Sequence, residues 1–187
     1  MPSHVYHWGT HQAIGSVPGR MTQFLGTHLN RLDAKGRVSI PASFRAVLRP
    51  DADGGPSLVL RPSHTHRCIE GWPAAAFRTL AIPLNDLDVF SEEHDEMAAT
   101  IYADACPTDP DREGRIVLPA NLVQHAGLGE SVSFMGAGRI FQIWEPQAGE
   151  RFREEARSRT NTRRLTLRGN RNNDEVLPAL SSEAPAA

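Results

Sequence analysis

Two five-residue clusters carry the side chains best placed to do chemistry. Asp33-Ala34-Lys35-Gly36-Arg37 and Asp111-Arg112-Glu113-Gly114-Arg115 share Asp, Gly and Arg at the same places, 78 residues apart. Each runs on through a β-branched or aliphatic stretch into Pro-Ala, at Pro41-Ala42 and Pro119-Ala120. An Asp and an Arg facing each other across a turn can form a charge-assisted bond that fixes the guanidinium. A fixed Arg at the tip of a narrow two-stranded ribbon has the shape and donors to reach a DNA major groove, where it pairs with guanine O6 and N7. Lys35, Arg31 and Arg112 add positive charge at the same tips. The residues alone leave a second reading open, a well-made turn with a surface ion pair and no ligand.

Other clusters carry less. His4, His7 and His11 have a spacing that a helix could turn toward a metal, but Gly9 and Gly15 weaken any helix there. His64-Thr65-His66-Arg67-Cys68 has ligand-type residues without a fourth partner nearby. Glu92-Glu93-His94-Asp95 reads as the acidic first turn of a solvated helix. Gly136-Ala137-Gly138 is too short for a dinucleotide fingerprint. No Ser/His/Asp or Cys/His set has a supporting context, so no enzyme, metal site, cofactor or small-molecule substrate is expected.

The elements that must position the two clusters follow from turn chemistry. Asp at the first place and Gly at the fourth suit a type I turn that ends in a left-handed residue, the usual three-residue hairpin loop. Residues 38–40 and 116–118 then read as strands. Pro41 and Pro119 end them and open short helices over residues 42–48 and 120–126. Residues 24–29 read as the strand entering the first loop, with residues 102–106 as its counterpart before the second. Further strands are expected at 57–60, 68–72, 131–135 and 140–144. Pro73 opens a helix to about residue 80, and the segment from 84 to 90 connects. Ser91 is the expected N-cap of a helix ending near Ile101, and Gly127-Leu128-Gly129 stops the helix before it. Pro146 opens a last helix, through Arg157. Trp72-Pro73 and Trp144-Glu145-Pro146 close both halves alike, so the repeat extends beyond the clusters.

A chain of 187 residues with 40% hydrophobic side chains can bury a modest core, and 6% aromatic content predicts an aliphatic one. Two cysteines, Cys68 and Cys106, form neither a disulfide framework nor a zinc motif, and reduced thiols in a cytoplasm are expected. No apolar run has the length of a membrane span. Net charge is −2, but the charge is unevenly placed: residues 86–113 are dominated by Asp and Glu, residues 151–171 by Arg. A polyanion would have to meet one selected face. The expected organisation is a disordered extension over residues 1–20, a first repeat over 21–82, a connecting helix over 83–101, a second repeat over 102–158 and a disordered tail over 159–187.

At these residues the sequence resembles the MraZ family, bacterial proteins with two AbrB/SpoVT-type repeats. The resemblance rests on Phe24-Leu25-Gly26 ahead of residues 32–41, on residues 114–119, on His125-Ala126-Gly127-Leu128 and on Phe141-Gln142-Ile143-Trp144. It covers roughly residues 21 to 157 and includes an intact Asp-x-x-x-Arg element in each half. It implies a mainly β fold with short helices, an AbrB-like swapped-hairpin barrel built by both repeats. It also implies a ring-shaped homo-oligomer that binds promoter repeats of double-stranded DNA. The expected role is transcriptional control, as a repressor of the division and cell-wall gene cluster, in a cytoplasmic, nucleoid-associated protein. Arg37 and Arg115 become the expected DNA contacts, with Asp33, Gly36, Asp111 and Gly114 as motif support. Lys35, Arg112 and Arg31 join them by position on the tips. The rival readings are an antitoxin-like DNA binder governed by a partner and a protein-interaction scaffold.

Overall fold

A computed structural model describes residues 23–50 and 54–163. The expected N-terminal extension and the tail beyond Arg163 lie outside the described residues. In chain order the elements are β1 (Thr27–Arg31), β2 (Arg37–Ser39), α1 (Ala42–Arg45), β3 (Leu58–Pro62), β4 (Ile69–Pro73), α2 (Ala74–Arg78) and α3 (Ala81–Leu84). There follow α4 (Glu92–Tyr102), β5 (Cys106–Thr108), β6 (Arg115–Val117), α5 (Ala120–Ala126), β7 (Ser131–Gly136), β8 (Phe141–Trp144) and α6 (Pro146–Arg163). Six strands form one antiparallel sheet in the order β1-β7-β8-β4-β3-β5, and β2 pairs with β6 in a separate two-stranded ribbon. The architecture is thus mixed, with a mostly antiparallel sheet and short helices.

The pairing joins the halves reciprocally. β1 of the first half pairs with β7 of the second, and β5 of the second pairs with β3 of the first. In the ribbon, Val38 pairs with Ile116, its own counterpart 78 residues on. In the large sheet Glu70 pairs with Gln142, counterparts when Trp72 is aligned with Trp144. Pairs of self-equivalent residues lie on a local two-fold, so these two pairs mark a pseudo-two-fold axis relating the halves.

Local chemistry explains the helix ends. Pro41, Pro73 and Pro119 sit at the N-caps of α1, α2 and α5 with φ near −55°, the value the ring imposes. Ser91 caps α4 by accepting a hydrogen bond from the His94 N–H at 3.1 Å. Gly127 ends α5 with φ of 60°, and the Leu128 N–H returns to the Val123 carbonyl at 3.0 Å.

Several expectations need correction. Tyr102 ends α4 instead of opening a strand, and the strand before the second loop is Cys106–Thr108. Ala98, Ala99 and Ala103 favour continued helix, and the Thr100 hydroxyl donates to the Glu96 carbonyl within it. β1 starts at Thr27 because Gly26 adopts φ of 85°, and Phe24 keeps only an isolated bridge to Gly138. A further short helix covers residues 81–84, between the expected end of the preceding helix near residue 80 and the expected connection over 84–90, and α6 runs past Arg157 to Arg163.

The core is mainly aliphatic, as composition implies, but it is built around four phenylalanines. Phe24, Phe44, Phe134 and Phe141 are all fully buried, with ring centroids 5.2–5.7 Å apart along the edges Phe24–Phe44, Phe24–Phe141, Phe44–Phe141 and Phe134–Phe141. Such edge and tilted contacts add about 0.5–1.5 kcal/mol each beyond burial. Aliphatic residues from both halves surround them, including Ile40, Leu58, Leu60, Leu122 and Ile143. Gly71, opposite Phe141 in the sheet, makes room for that ring, since a Cβ there would lie inside it.

Chain contacts divide the molecule into residues 1–149 and 150–187. Within the second unit, the described part of α6 is a polar helix with Arg153–Glu150 and Arg159–Glu155 ion pairs on its surface. Among the described residues no helix is long and apolar enough to cross a membrane.

Candidate nucleic-acid interface

Each Asp of the repeated motif builds its loop before it does anything else. Asp33 Oδ1 accepts the Lys35 N–H at 2.9 Å and the Arg37 N–H at 2.8 Å, while Oδ2 accepts the Arg37 Nε–H at 2.7 Å. Asp111 repeats the pattern: Oδ1 takes the Glu113 and Arg115 N–H groups at 2.9 and 2.8 Å, and Oδ2 takes the Arg115 Nε–H at 3.0 Å. The main chain closes each loop with Gly36 N–H to Asp33 carbonyl at 2.9 Å and Gly114 N–H to Asp111 carbonyl at 2.8 Å. Both glycines take positive φ, 74° and 78°, which a side chain would resist. One carboxylate therefore orders the turn and aims the guanidinium four residues on. The backbone N–H of Arg37, helped by its guanidinium and by the Lys35 N–H, holds the Asp33 carboxyl below its ordinary value. The Arg115 N–H leads the same effect on Asp111.

The two loops are locked to each other. The Ile40 N–H donates to the Gly114 carbonyl at 2.9 Å, and the Leu118 N–H donates to the Gly36 carbonyl at 2.8 Å. Between these bonds lies the β2–β6 ribbon. Val38 and Ile116 point inward, 1% and 2% exposed. Alternation along a strand then sends Arg37, Ser39, Arg115 and Val117 to the opposite, outer face. Arg37 lies opposite Val117 and Arg115 opposite Ser39. The two Arg residues are therefore diagonal neighbours, with backbones about 7–8 Å apart. Their side chains are 41% and 37% exposed. The structure brings to one surface two guanidiniums, each braced by its own Asp, on a ribbon flanked by two loops.

The remaining sequence candidates fall around this centre. Lys35 and Arg112 are exposed within the two loops, and among the described residues neither has an acidic side-chain partner. Arg31 ends β1 and sits 3.7 Å from Glu130, both side chains more than four-fifths exposed, a pairing of little energetic weight. Two neighbours were not anticipated. The Asn30 amide donates to the Ser39 carbonyl and ties β1 to the ribbon. Arg45, from α1, lies over Gly114, and its Nη1 donates to the Glu113 carbonyl at 3.1 Å. The 78-residue offset held a clue to Arg45, because it aligns Arg45 with the uncharged Val123. Beside the first loop Val123 lines an open groove with Leu32, Ala34, Leu118 and Leu128, as Arg45 lines the groove beside the second.

Away from the ribbon, the candidate ligand residues do not converge. Among the described residues no group of three or more His, Cys, Asp or Glu side chains is arranged to hold a metal. Burial pushes the Cys68 thiol up to about 12, aided by the charge of Glu70, so it stays protonated at neutral pH.

Comparison with known proteins agrees with the repeat. The model of the family described as "MraZ protein, putative antitoxin-like" matches twice, over residues 23–99 and 101–169. A protein of Gluconacetobacter diazotrophicus named transcriptional regulator MraZ is 62% identical over 152 residues, covering 81% of this chain and 96% of the relative. Its namesake in Gluconobacter oxydans is 61% identical over 143 residues, 76% of this chain and 87% of the relative. A more distant namesake from Rickettsia bellii is 40% identical over 149 residues, 79% of this chain and 98% of the relative. With both halves matched and the relatives spanned almost end to end, the chain belongs to the MraZ family.

Proposed function

We propose that this protein is a sequence-specific DNA-binding transcriptional regulator, a repressor of the division and cell-wall gene cluster promoter. The observation that carries the reading is the outer face of the β2–β6 ribbon, with Arg37 and Arg115 diagonal to each other and each held by an Asp. A preset guanidinium loses less entropy when it meets guanine or phosphate than a free one would. The names of the relatives support regulation of transcription. The ribbon and the large sheet are read as the swapped-hairpin, AbrB-like barrel of two repeats, about residues 21–82 and 102–158, linked through 83–101. The active form is read as a ring-shaped homo-oligomer on repeated promoter boxes, in a cytoplasmic, nucleoid-associated protein. Linked tips gain avidity of about 10²–10⁴, which offsets the few cations on any one tip.

Gel shift on the protein's own upstream DNA against a scrambled duplex tests the reading. The expected result is a specific, salt-sensitive shift that the Arg37→Ala/Arg115→Ala double variant loses while melting as a folded protein. A wild-type-like shift from the double variant would reduce the motif to a structural turn. The antitoxin-like description of the family favours a second form of the same reading, in which a protein partner governs DNA binding. Co-purification of such a partner that abolishes the shift would select it.

A further inference from the structure

The two loops share a backbone but not a charge. Between residues 31 and 37 the sequence has three cations, Arg31, Lys35 and Arg37, and one carboxylate, Asp33, with Glu130 beside Arg31. Between residues 109 and 115 it has two cations, Arg112 and Arg115, and three carboxylates, Asp109, Asp111 and Glu113, of which Asp109 is held by Ser57, with Arg45 lying over Gly114. The sharpest change is at the loop apex, where Lys35 of the first loop is replaced by its opposite, Glu113, in the second. The guanidiniums feel the difference. Arg37 gives its Nε to Asp33, and no side-chain partner takes its terminal nitrogens among the described residues. Arg115 gives Nε and Nη2 to Asp111, the latter at 2.9 Å, and Nη2 is shared with Glu113. Each loop borders an open groove, but the one beside the second loop carries Arg45, which braces that loop, where the one beside the first carries Val123.

We propose that the two tips are unequal DNA readers. Arg37 and Lys35 carry the contact, and Glu113 is a positioning residue that withholds Arg115 from the nucleic acid. The inference rests on the DNA-binding reading above. The physical reason is twofold. A phosphate arriving at the second tip meets the Glu113 carboxylate, which is two-thirds exposed at the apex. Arg115 must also give up one carboxylate before Nη2 can turn to DNA, whereas Arg37 can add a contact through its terminal nitrogens without breaking any bond. Glu113 thereby sets how much of the ribbon face is engaged at a given salt concentration.

The test is fluorescence anisotropy on the upstream duplex across a salt series, with wild type, Arg37→Ala, Arg115→Ala, Glu113→Gln and Glu113→Gln/Arg115→Ala. Melting curves confirm that each is folded, and Glu113→Lys repeats the measurement with the first loop's own residue. The expected order is a larger loss for Arg37→Ala than for Arg115→Ala. Glu113→Gln tightens binding by about two- to fivefold at low salt, the scale of one exposed ion pair. It also steepens the salt slope by about 0.9 as Arg115 gains a phosphate. Both gains vanish in the Glu113→Gln/Arg115→Ala variant. A gain that survives without Arg115 would overturn the positioning role and leave plain repulsion. Equal losses from the two single Arg variants would overturn the inequality of the tips. Wild type that does not prefer its own duplex to a scrambled one would remove the DNA-binding reading, and the inference with it.

Discussion

The two halves have one backbone plan and two different fillings. Where the first half sets Arg61 opposite Glu70, the second sets Met135 opposite Gln142 at the equivalent cross-strand pair. Arg61 and Glu70 are 3% and 6% exposed, their charged atoms 3.8 Å apart, and the Arg61 Nε has no hydrogen-bond partner among the described residues. Trp72 and Trp144 are treated alike: each donates its indole N–H two residues back, to Glu70 at 3.0 Å and to Gln142 at 3.1 Å. The first half has Gly71 where the second has Ile143, because the Phe141 ring takes the space above Gly71. The backbone hydrogen bonds fix the repeat, and side chains within it are free to diverge wherever charge and volume remain balanced against their own neighbours.

The largest effect should come from making the halves more alike one residue at a time. Arg61→Met alone strands the buried Glu70 charge and should cost about 3–5 kcal/mol, whereas Arg61→Met with Glu70→Gln copies the second half and should be neutral or stabilising. Denaturant unfolding of both variants measures the difference. A double variant as unstable as the single would show that the pair is specifically required. Next, Gly71→Ile would copy the counterpart residue into space already filled by Phe141. Overpacking of this kind costs about 1–3 kcal/mol, read as a lower denaturation midpoint.

A smaller effect separates the two thiols. Cys68 is buried and its thiol is raised from 9.0 to about 12, while Cys106 is only half-buried. A raised value stabilises the fold below the unfolded thiol's 9.0 and loses that stabilisation as pH climbs toward 12. Alkaline melting should therefore decline over that window, and less so in Cys68→Ala. Native-state alkylation should label Cys106 and spare Cys68. The smallest effect concerns the loop carboxylates. Asp33 and Asp111 are lowered from 3.8, so their contribution is present above 3.8 and is lost as pH falls through the lowered values. Melting temperature between pH 5 and 2 should fall less steeply in Asp33→Asn/Asp111→Asn than in wild type.

Much of the local structure could be read from particular residues. Asp33, Gly36, Asp111 and Gly114 specified their turns because a carboxylate at the first place and a left-handed glycine at the fourth satisfy the loop's own N–H groups. Pro119 and Gly127 bounded α5 at Ala120–Ala126 because one ring and one αL residue act within a single turn of chain. The strand before the second loop was misplaced, although the 78-residue offset from Thr27–Arg31 would have brought it near Cys106–Thr108. The Ala-rich end of α4 carries the helix to Tyr102, and residues 102–106 hold no β-branched residue that would favour a strand. The mainly aliphatic core follows from composition, but the meeting of four phenylalanines does not, because residues spread from 24 to 141 say nothing in sequence of their contact.

The sequence by itself determined the two turns, the Asp-to-Arg spacing, the helix boundaries at proline and glycine and the existence of a repeat, all set by bonds that span a few residues. Only the tertiary structure decided which strands pair. Residues 29 and 133, or 37 and 117, find each other only when burial of the shared core rewards the closing of long loops. That long-range pairing puts Arg37 and Arg115 on one face of one ribbon. It also lays Arg45 across a glycine 69 residues further along the chain, because a close-packed interior selects partners by shape and charge and not by distance in sequence.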